Sequence, residues 1–217
     1  MKIDWNMPPE EIERESFRRI EAEMGPHPFS PAQWIIVRRL IHATADFSLA
    51  QDLHFGHSPI EAGLEALRRG APIFCDSNMI RGGLSLPRLR RAFPGYKPDS
   101  IHCRVADPKV MAMARERRIA RSLAALELSR NLLAGCILLV GNAPLVLAGA
   151  ARMIQEENLR PALVIGMPVG FVHVVESKEM IMETSVPHIV LKGRRGGSPL
   201  AVATLHAILE NLDVPSA

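Results

Sequence analysis

Five short apolar runs, Pro72–Cys75, Ser100–Arg104, Cys136–Gly141, Ala162–Met167 and His188–Lys192, alternate along this 217-residue chain with longer stretches of helical periodicity. Runs that are apolar throughout suit strands buried on both faces, and their alternation with helices is the pattern of strand–helix–strand crossovers. The expectation is a three-layer, doubly wound α/β/α architecture on a mainly parallel sheet of about five strands. No repeat or linker divides the sequence, so residues 1–217 are expected to form a single domain. Its first seventy residues are mostly helical and are expected to pack on the sheet.

Three helix starts share one device. Ser30-Pro31, Ser58-Pro59 and Ser198-Pro199 each offer a hydroxyl cap followed by proline at the first helical position. Glu61 completes a capping box at Ser58, and Gly70 supplies the stop. Further helices are expected over 9–24, 108–118, 122–133, 143–158 and 174–183. Residues 132–151 carry no charge and are long enough to span a bilayer, but Gly141-Asn142-Ala143-Pro144 reads as a turn in their middle. A buried strand followed by a helix is expected there, and no membrane segment.

Apolar residues make up 47% of the chain and charged ones 23%, which excludes a disordered chain. A net charge of +3 suits an anionic ligand but is too mild to indicate nucleic acid. Aromatics at 5% leave few platforms for stacked bases. Cys75, Cys103 and Cys136 are widely spaced and odd in number, matching neither a disulfide framework nor a metal site. They read as small buried hydrophobes in a reducing cytoplasm, and the N-terminus has no apolar signal run.

Ligands of such sheets bind beyond the carboxyl ends of the strands. The loops to inspect are therefore 76–85, 141–144, 166–172 and 193–198. In the last, Gly193-Arg194-Arg195-Gly196-Gly197-Ser198 combines flexible backbone, a helix start and two guanidinium groups. It suits an anion cradle, with an ordinary glycine-rich turn as the alternative and an RGG-like RNA tract as a weak third, since a helix starts inside it. Gly166, Met167, Val169 and Gly170 form a stiff loop with an apolar tip, suited to a flat ligand or simply to a crossover. On the helix begun at Ser30, Arg39, His42 and Asp46 follow at i, i+3 and i+7 and would share a face. His42 is then a candidate acid or base, or a surface histidine among charges. His54 and His57 lack a third metal ligand at suitable spacing and read as a plain loop.

Taken in order, several blocks of this chain resemble the precorrin-8X methylmutase family. They are Ser16-Phe17, Arg39-Leu40-Ile41-His42, residues 72–76, Arg121-Ser122, residues 141–144, residues 165–172, Glu176-Ser177-Lys178 and residues 193–198. The resemblance covers residues 13–212. It implies a flavodoxin-like fold and a cytoplasmic homodimer with its pocket near the subunit interface. It also implies an isomerase of cobalamin biosynthesis that moves a methyl group from C11 to C12 of ring C in a corrinoid precursor.

By the same resemblance, His42 is the proton donor or acceptor, Ser16 and Arg39 bind substrate, and no redox cofactor is required. The run Ala43-Thr44-Ala45-Asp46-Phe47 looks like that of enzymes whose substrate already carries cobalt, and Thr44 joins the substrate set with it. The chemistry of a flat macrocycle with carboxylate arms adds Arg121, Arg194 and Arg195 as arm contacts, and Gly166, Met167, Val169 and Gly170 as a surface for the ring. The competing expectation is a protein of the same fold that holds a tetrapyrrole or nucleotide without transforming it.

Overall fold

In the computed structural model, which describes residues 5–213, the five apolar runs lie side by side and parallel. The chain begins with α1 (Pro9–Met24), α2 (Pro31–Thr44), a 3-10 turn (Phe47–Asp52), β1 (Leu53–Gly56) and α3 (Pro59–Arg68). Then come β2 (Ile73–Cys75), α4 (Asn78–Gly83), α5 (Leu86–Ala92), β3 (Ile101–His102), α6 (Pro108–Arg117), α7 (Arg121–Leu128) and α8 (Arg130–Leu133). The chain continues with β4 (Ile137–Val140), α9 (Pro144–Glu157), β5 (Leu163–Gly166), α10 (Val174–Met182), β6 (His188–Leu191) and α11 (Ser198–Glu210).

The sheet order is β1-β6-β5-β4-β2-β3, with Cys75 beside Leu139, Leu139 beside Ile165 and Ile165 beside Ile189. The parallel strands therefore have the flavodoxin-like order, whose direction of winding reverses between β2 and β4. Alternate side chains enter separate cores. Ile73, Cys75, Leu139, Ile165 and Ile189 pack with residues of α2, α3, α5 and α11. Phe74, Leu138, Val140, Val164 and Val190 pack with α6, α7, α9 and α10 on the opposite face. In the N-terminal region α1 lies on α2 and α2 on α11, while α3 and α11 contact the sheet directly.

The sixth strand, β1, is absent from the sequence-based expectation. It joins the edge antiparallel to β6, pairing Gly56 with His188. Leu53-His54-Phe55-Gly56 has no β-branched residue, and its glycine argues against a strand. That glycine is nevertheless required, because a Cβ there would sit 2.2 Å from Nε2 of His188. Two of the three helix starts also differ from expectation. Ser30 forms the full capping box with Gln33. Ser58 instead sits at φ 49 in a tight turn after β1 and makes no capping bond. At the third start Gly197 precedes the helix, and the Ser198 hydroxyl bonds that of Ser77 at 2.9 Å. The helix expected over 122–133 breaks at Ser129, where Arg104 claims the Leu128 carbonyl at 2.9 Å. Short helix α4 occupies the expected loop after β2. The uncharged stretch 132–151 divides into β4 and α9 as expected, and among the described residues no helix is long and apolar enough to cross a membrane.

Where the winding reverses, the structure is bridged by Asp76. Its carboxylate, 2% exposed, accepts the amide protons of Gly141 (3.2 Å), Asn142 (2.7 Å) and Ala143 (2.6 Å). Burial pushes this carboxyl up from its usual range, against the pull of the three amides. Gly141 is needed for a different reason, since a Cβ would lie 2.6 Å from the Cα of Ser198. Asp76→Ala leaves buried amides without an acceptor and is expected to cost about 2–4 kcal/mol of stability in urea unfolding. Asp76→Asn, which keeps an oxygen acceptor, should cost less.

Candidate active site

The capping box at Ser30 starts α2 in a register that buries Ile36, Val37, Leu40 and Ile41 and leaves His42 exposed on the last turn. Helix α1 lies alongside and brings Ser16 Oγ within 2.8 Å of His42 Nδ1. Phe17 presents its ring edge-on to the imidazole, with centroids 5.3 Å apart. Nε2 has no protein partner among the described residues. The serine hydroxyl can accept a proton from Nδ1–H or donate to a bare Nδ1. The ring can therefore change protonation state without losing its support.

His42 stands on the rim of a cleft of about 590 Å³. Helix α2 supplies Arg39, His42 and Ala43. Helices α4 and α5 and the turn between them supply Met79, Gly83, Ser85 and Arg88, and α11 supplies Pro199, Val202, Ala203 and His206. A smaller hollow of about 320 Å³ on the far side of His42 is lined by Ser16, Ile20, Ala45 and Phe47.

Arg39 lines the cleft without being a free cation. Its two terminal nitrogens bond Glu13 (2.5 Å) and Glu210 (2.5 Å), and the residue is 9% exposed. The guanidinium in turn holds the Glu13 carboxyl below its usual range. Arg39 thus clamps α1, α2 and α11 together beneath the histidine. Asp46 does not share the helical face expected for it. Ala45 turns left-handed at φ 53, and the Asp46 carboxylate caps Ser48 and pairs with Arg195. Thr44 ends α2 with its hydroxyl on the Leu40 carbonyl at 2.9 Å.

The glycine-rich loops form one interlocked unit. Gly197 N–H donates to the Met167 carbonyl at 2.7 Å, Gly170 N–H to the Arg194 carbonyl at 3.2 Å, and a Cβ at Gly196 would collide with the Met167 carbonyl at 2.3 Å. Beneath them lies Lys178, 1% exposed, whose ammonium donates to the carbonyls of Gly193 (2.7 Å) and Arg195 (2.8 Å). Burial brings its pKa down to about 8. Arg195 is neutralised by Asp46 and Asp52. Loop 193–198 is therefore committed to internal contacts, and its exposed cation is Arg194, which lies 5.5 Å over the Phe171 ring. Gly166 and Met167 are buried, whereas Val169 is exposed and Gly170 half-buried beside exposed Phe171 and Val172. Arg121 is exposed at the start of α7, in the helical layer opposite His42.

Arg88 and His206 were not among the candidates from sequence. Arg88 lies in a basic run with Arg90 and Arg91 that looks like an ordinary charged surface, and His206 is the one ring in a mostly apolar helix. In the structure His206 Nε2 accepts the Ser85 amide proton at 3.1 Å. Burial, then Arg88 and Arg39, lowers its pKa to about 4.

The class of protein is thus a flavodoxin-like α/β/α sandwich with a serine-bonded histidine on the wall of a cleft that also holds Arg39, Arg88 and His206. Comparison with known proteins makes the class specific. Residues 11–211 match the family model for precorrin-8X methylmutase. The chain is 41% identical to the cobalt-precorrin-8 methylmutase of Leptospira interrogans, over 91% of each chain. It is 36% identical to the precorrin-8X methylmutase of Pseudomonas aeruginosa, over 95% of this chain and 97% of that one. A solved structure described as precorrin-8x methyl mutase from Thermus thermophilus superimposes with a TM-score of 0.83 at 46% identity, covering 92% of this chain and 96% of the other. The chain belongs to the precorrin-8X methylmutase family, isomerases of cobalamin biosynthesis.

The Arg39 clamp has a measurable consequence. Arg39→Met should lower unfolding stability by roughly 1–3 kcal/mol, because it removes two charge-assisted hydrogen bonds from a largely buried site. A guanidinium serving substrate alone would leave the free protein's melting temperature unchanged.

Proposed function

We propose that this protein moves the C11 methyl group of a precorrin-8-type corrinoid to C12 of the same ring, with His42 as the proton donor or acceptor. The observation that carries the proposal is the Ser16–His42 pair, which leaves Nε2 on the rim of the cleft. Within one molecule the bond from the methyl carbon to C11 breaks and that to C12 forms. The π system is redrawn, and no electron is gained or lost overall. A histidine beside the ring can protonate or deprotonate the rearranging system, and no redox cofactor is called for. Ser16 orients the imidazole, and Arg39 holds the helices that carry both.

The favoured substrate carries cobalt. Relatives named cobalt-precorrin-8 methylmutase reach 41% and 38% identity in Leptospira interrogans and Priestia megaterium, while precorrin-8X names belong to the Pseudomonas aeruginosa enzyme and the Thermus structure. The run after His42 decides our preference. Loop 166–172 offers its apolar tip to the flat ring and Arg194 a cation to its arms, whereas Arg121, in the opposite helical layer, reaches an arm only from the second copy of a dimer. Cys75, Cys103 and Cys136 are all free thiols, in keeping with a reducing cytoplasm.

We also propose a homodimer. Phe171 is 84% and Val172 68% exposed, on a loop next to the cleft-forming start of α11, and apolar side chains this exposed suit a partner. Phe171→Glu is expected to shift the wild-type dimer towards monomer in sedimentation velocity, with the helical circular dichroism unchanged.

Purified protein mixed anaerobically with cobalt-precorrin-8, and separately with the metal-free form, tests the activity through the visible spectrum. Turnover of the cobalt substrate is expected. Turnover of the metal-free form alone would reverse the substrate assignment and keep the reaction. His42→Asn should lower kcat by roughly 100- to 10,000-fold with substrate still bound. A bound spectrum that never evolves with wild-type protein would overturn the isomerase.

A further inference from the structure

We infer that Arg88 and His206 form a subsite that takes one carboxylate arm of the corrinoid, on the cleft wall made by α5 and α11. This inference rests on the proposed function and names a part of the cleft that the reaction itself does not require. Three observations carry it.

First, the available positive charge in the cleft belongs to Arg88. Arg39 is committed to Glu13 and Glu210, whereas Arg88 meets Glu210 only at 3.7 Å and its side chain is 41% exposed. Second, the tautomer of His206 is dictated. A nitrogen that accepts the Ser85 amide proton cannot carry a proton itself, so the neutral ring bears its hydrogen on Nδ1. That N–H has no protein partner among the described residues. Third, the other walls of the cleft are apolar, with Met79, Pro199, Val202 and Ala203. A polar pair on one side of an apolar cleft orients a ligand that is itself apolar in its body and anionic at its edge.

The charged groups around His206 are Glu13 from α1, Arg39 from α2, Arg88 and Arg91 from α5, and Glu210 one turn further along α11. Burial is the first cause that keeps the ring neutral, and Arg88 and then Arg39 follow as the leading charges. A carboxylate placed between Arg88 and His206 receives a charge-assisted bond from the guanidinium and a second bond from Nδ1–H. It also offsets the positive field at the imidazole. Arm binding and the protonation of His206 are therefore linked, which a purely structural histidine would not show.

The test uses the intact protein with two probes, cobyrinate and the same corrinoid with its arms converted to neutral amides. Wild-type protein is expected to bind the acid roughly tenfold or more tightly than the amide. Arg88→Gln should lose roughly 10- to 100-fold in affinity for the acid and little for the amide, raising KM with kcat nearly unchanged. His206→Phe, which keeps the ring and removes the donor, should lose a smaller part of the same preference.

Imidazole NMR on unaltered protein reports the contact directly, so a folding defect in either variant does not blunt the test. The His206 titration should move upward from about 4 when cobyrinate binds and stay in place with the amide. Equal affinity of wild-type protein for acid and amide, or a His206 titration indifferent to cobyrinate, overturns the subsite. Absence of methyl migration by wild-type protein overturns the proposed reaction instead, and is read from a different measurement.

Discussion

The carboxylate of Asp76 fills the place where folds of this kind ordinarily hold a ligand. In doubly wound sheets the reversal of winding opens a crevice between neighbouring strand ends, and ligands usually enter there. Here that crevice lies between β2 and β4, and Asp76 spans it with three backbone hydrogen bonds to Gly141, Asn142 and Ala143. The three amides just before α9 are satisfied from within. The cleft with His42 on its wall lies to one side, between α2, α4, α5 and α11.

From Asp76 the contacts run without a gap to the cleft. Ser77, the next residue, bonds the hydroxyl of Ser198, and Gly141 backs against the Ser198 backbone. Gly197 ties that point to Met167, while Lys178 ties the same loop from below. Helix α11 thus leaves the sheet in one fixed direction and carries His206 and Glu210 to the cleft. Glu210 holds Arg39, and Arg39 draws α1 and α2 together so that Ser16 meets His42. Arginine suits this junction because its planar fork can serve two carboxylates at once.

Much of this was legible in the chain, and what was not has physical reasons. Strands β2, β4 and β5 announced themselves because each is buried on both faces and apolar throughout, and β6 is apolar but for His188. Strand β1 lies at an edge, is half-buried and carries a glycine demanded by His188, so neither period nor propensity marks it. The resemblance named Ser16 and His42 separately, and their pairing emerges only in the structure, because residues 26 apart on two helices meet only through tertiary packing. Arg195 carried the right chemistry for an anion, but its neutralisation by Asp46 and Asp52 depends on how α2 ends and cannot be read from spacing. Arg88 and His206 belong to helices far apart in the sequence, and each looks ordinary alone.

The two histidines of the cleft show how surroundings assign roles to identical side chains. His42 is exposed, and its partner is a hydroxyl that tolerates either protonation state, so Nε2 can take or give a proton as a reaction requires. His206 is held by a backbone amide, which fixes its tautomer, and lies near two guanidinium groups that disfavour a further positive charge. One is built for exchange and the other for a steady donor. Two exchangeable histidines facing one conjugated ring would compete to protonate it at different carbons, and the migrating methyl group must reach a single neighbour. On the proposed function, the fixed tautomer of His206 leaves acid–base chemistry to His42 and the wall of α5 and α11 to recognition.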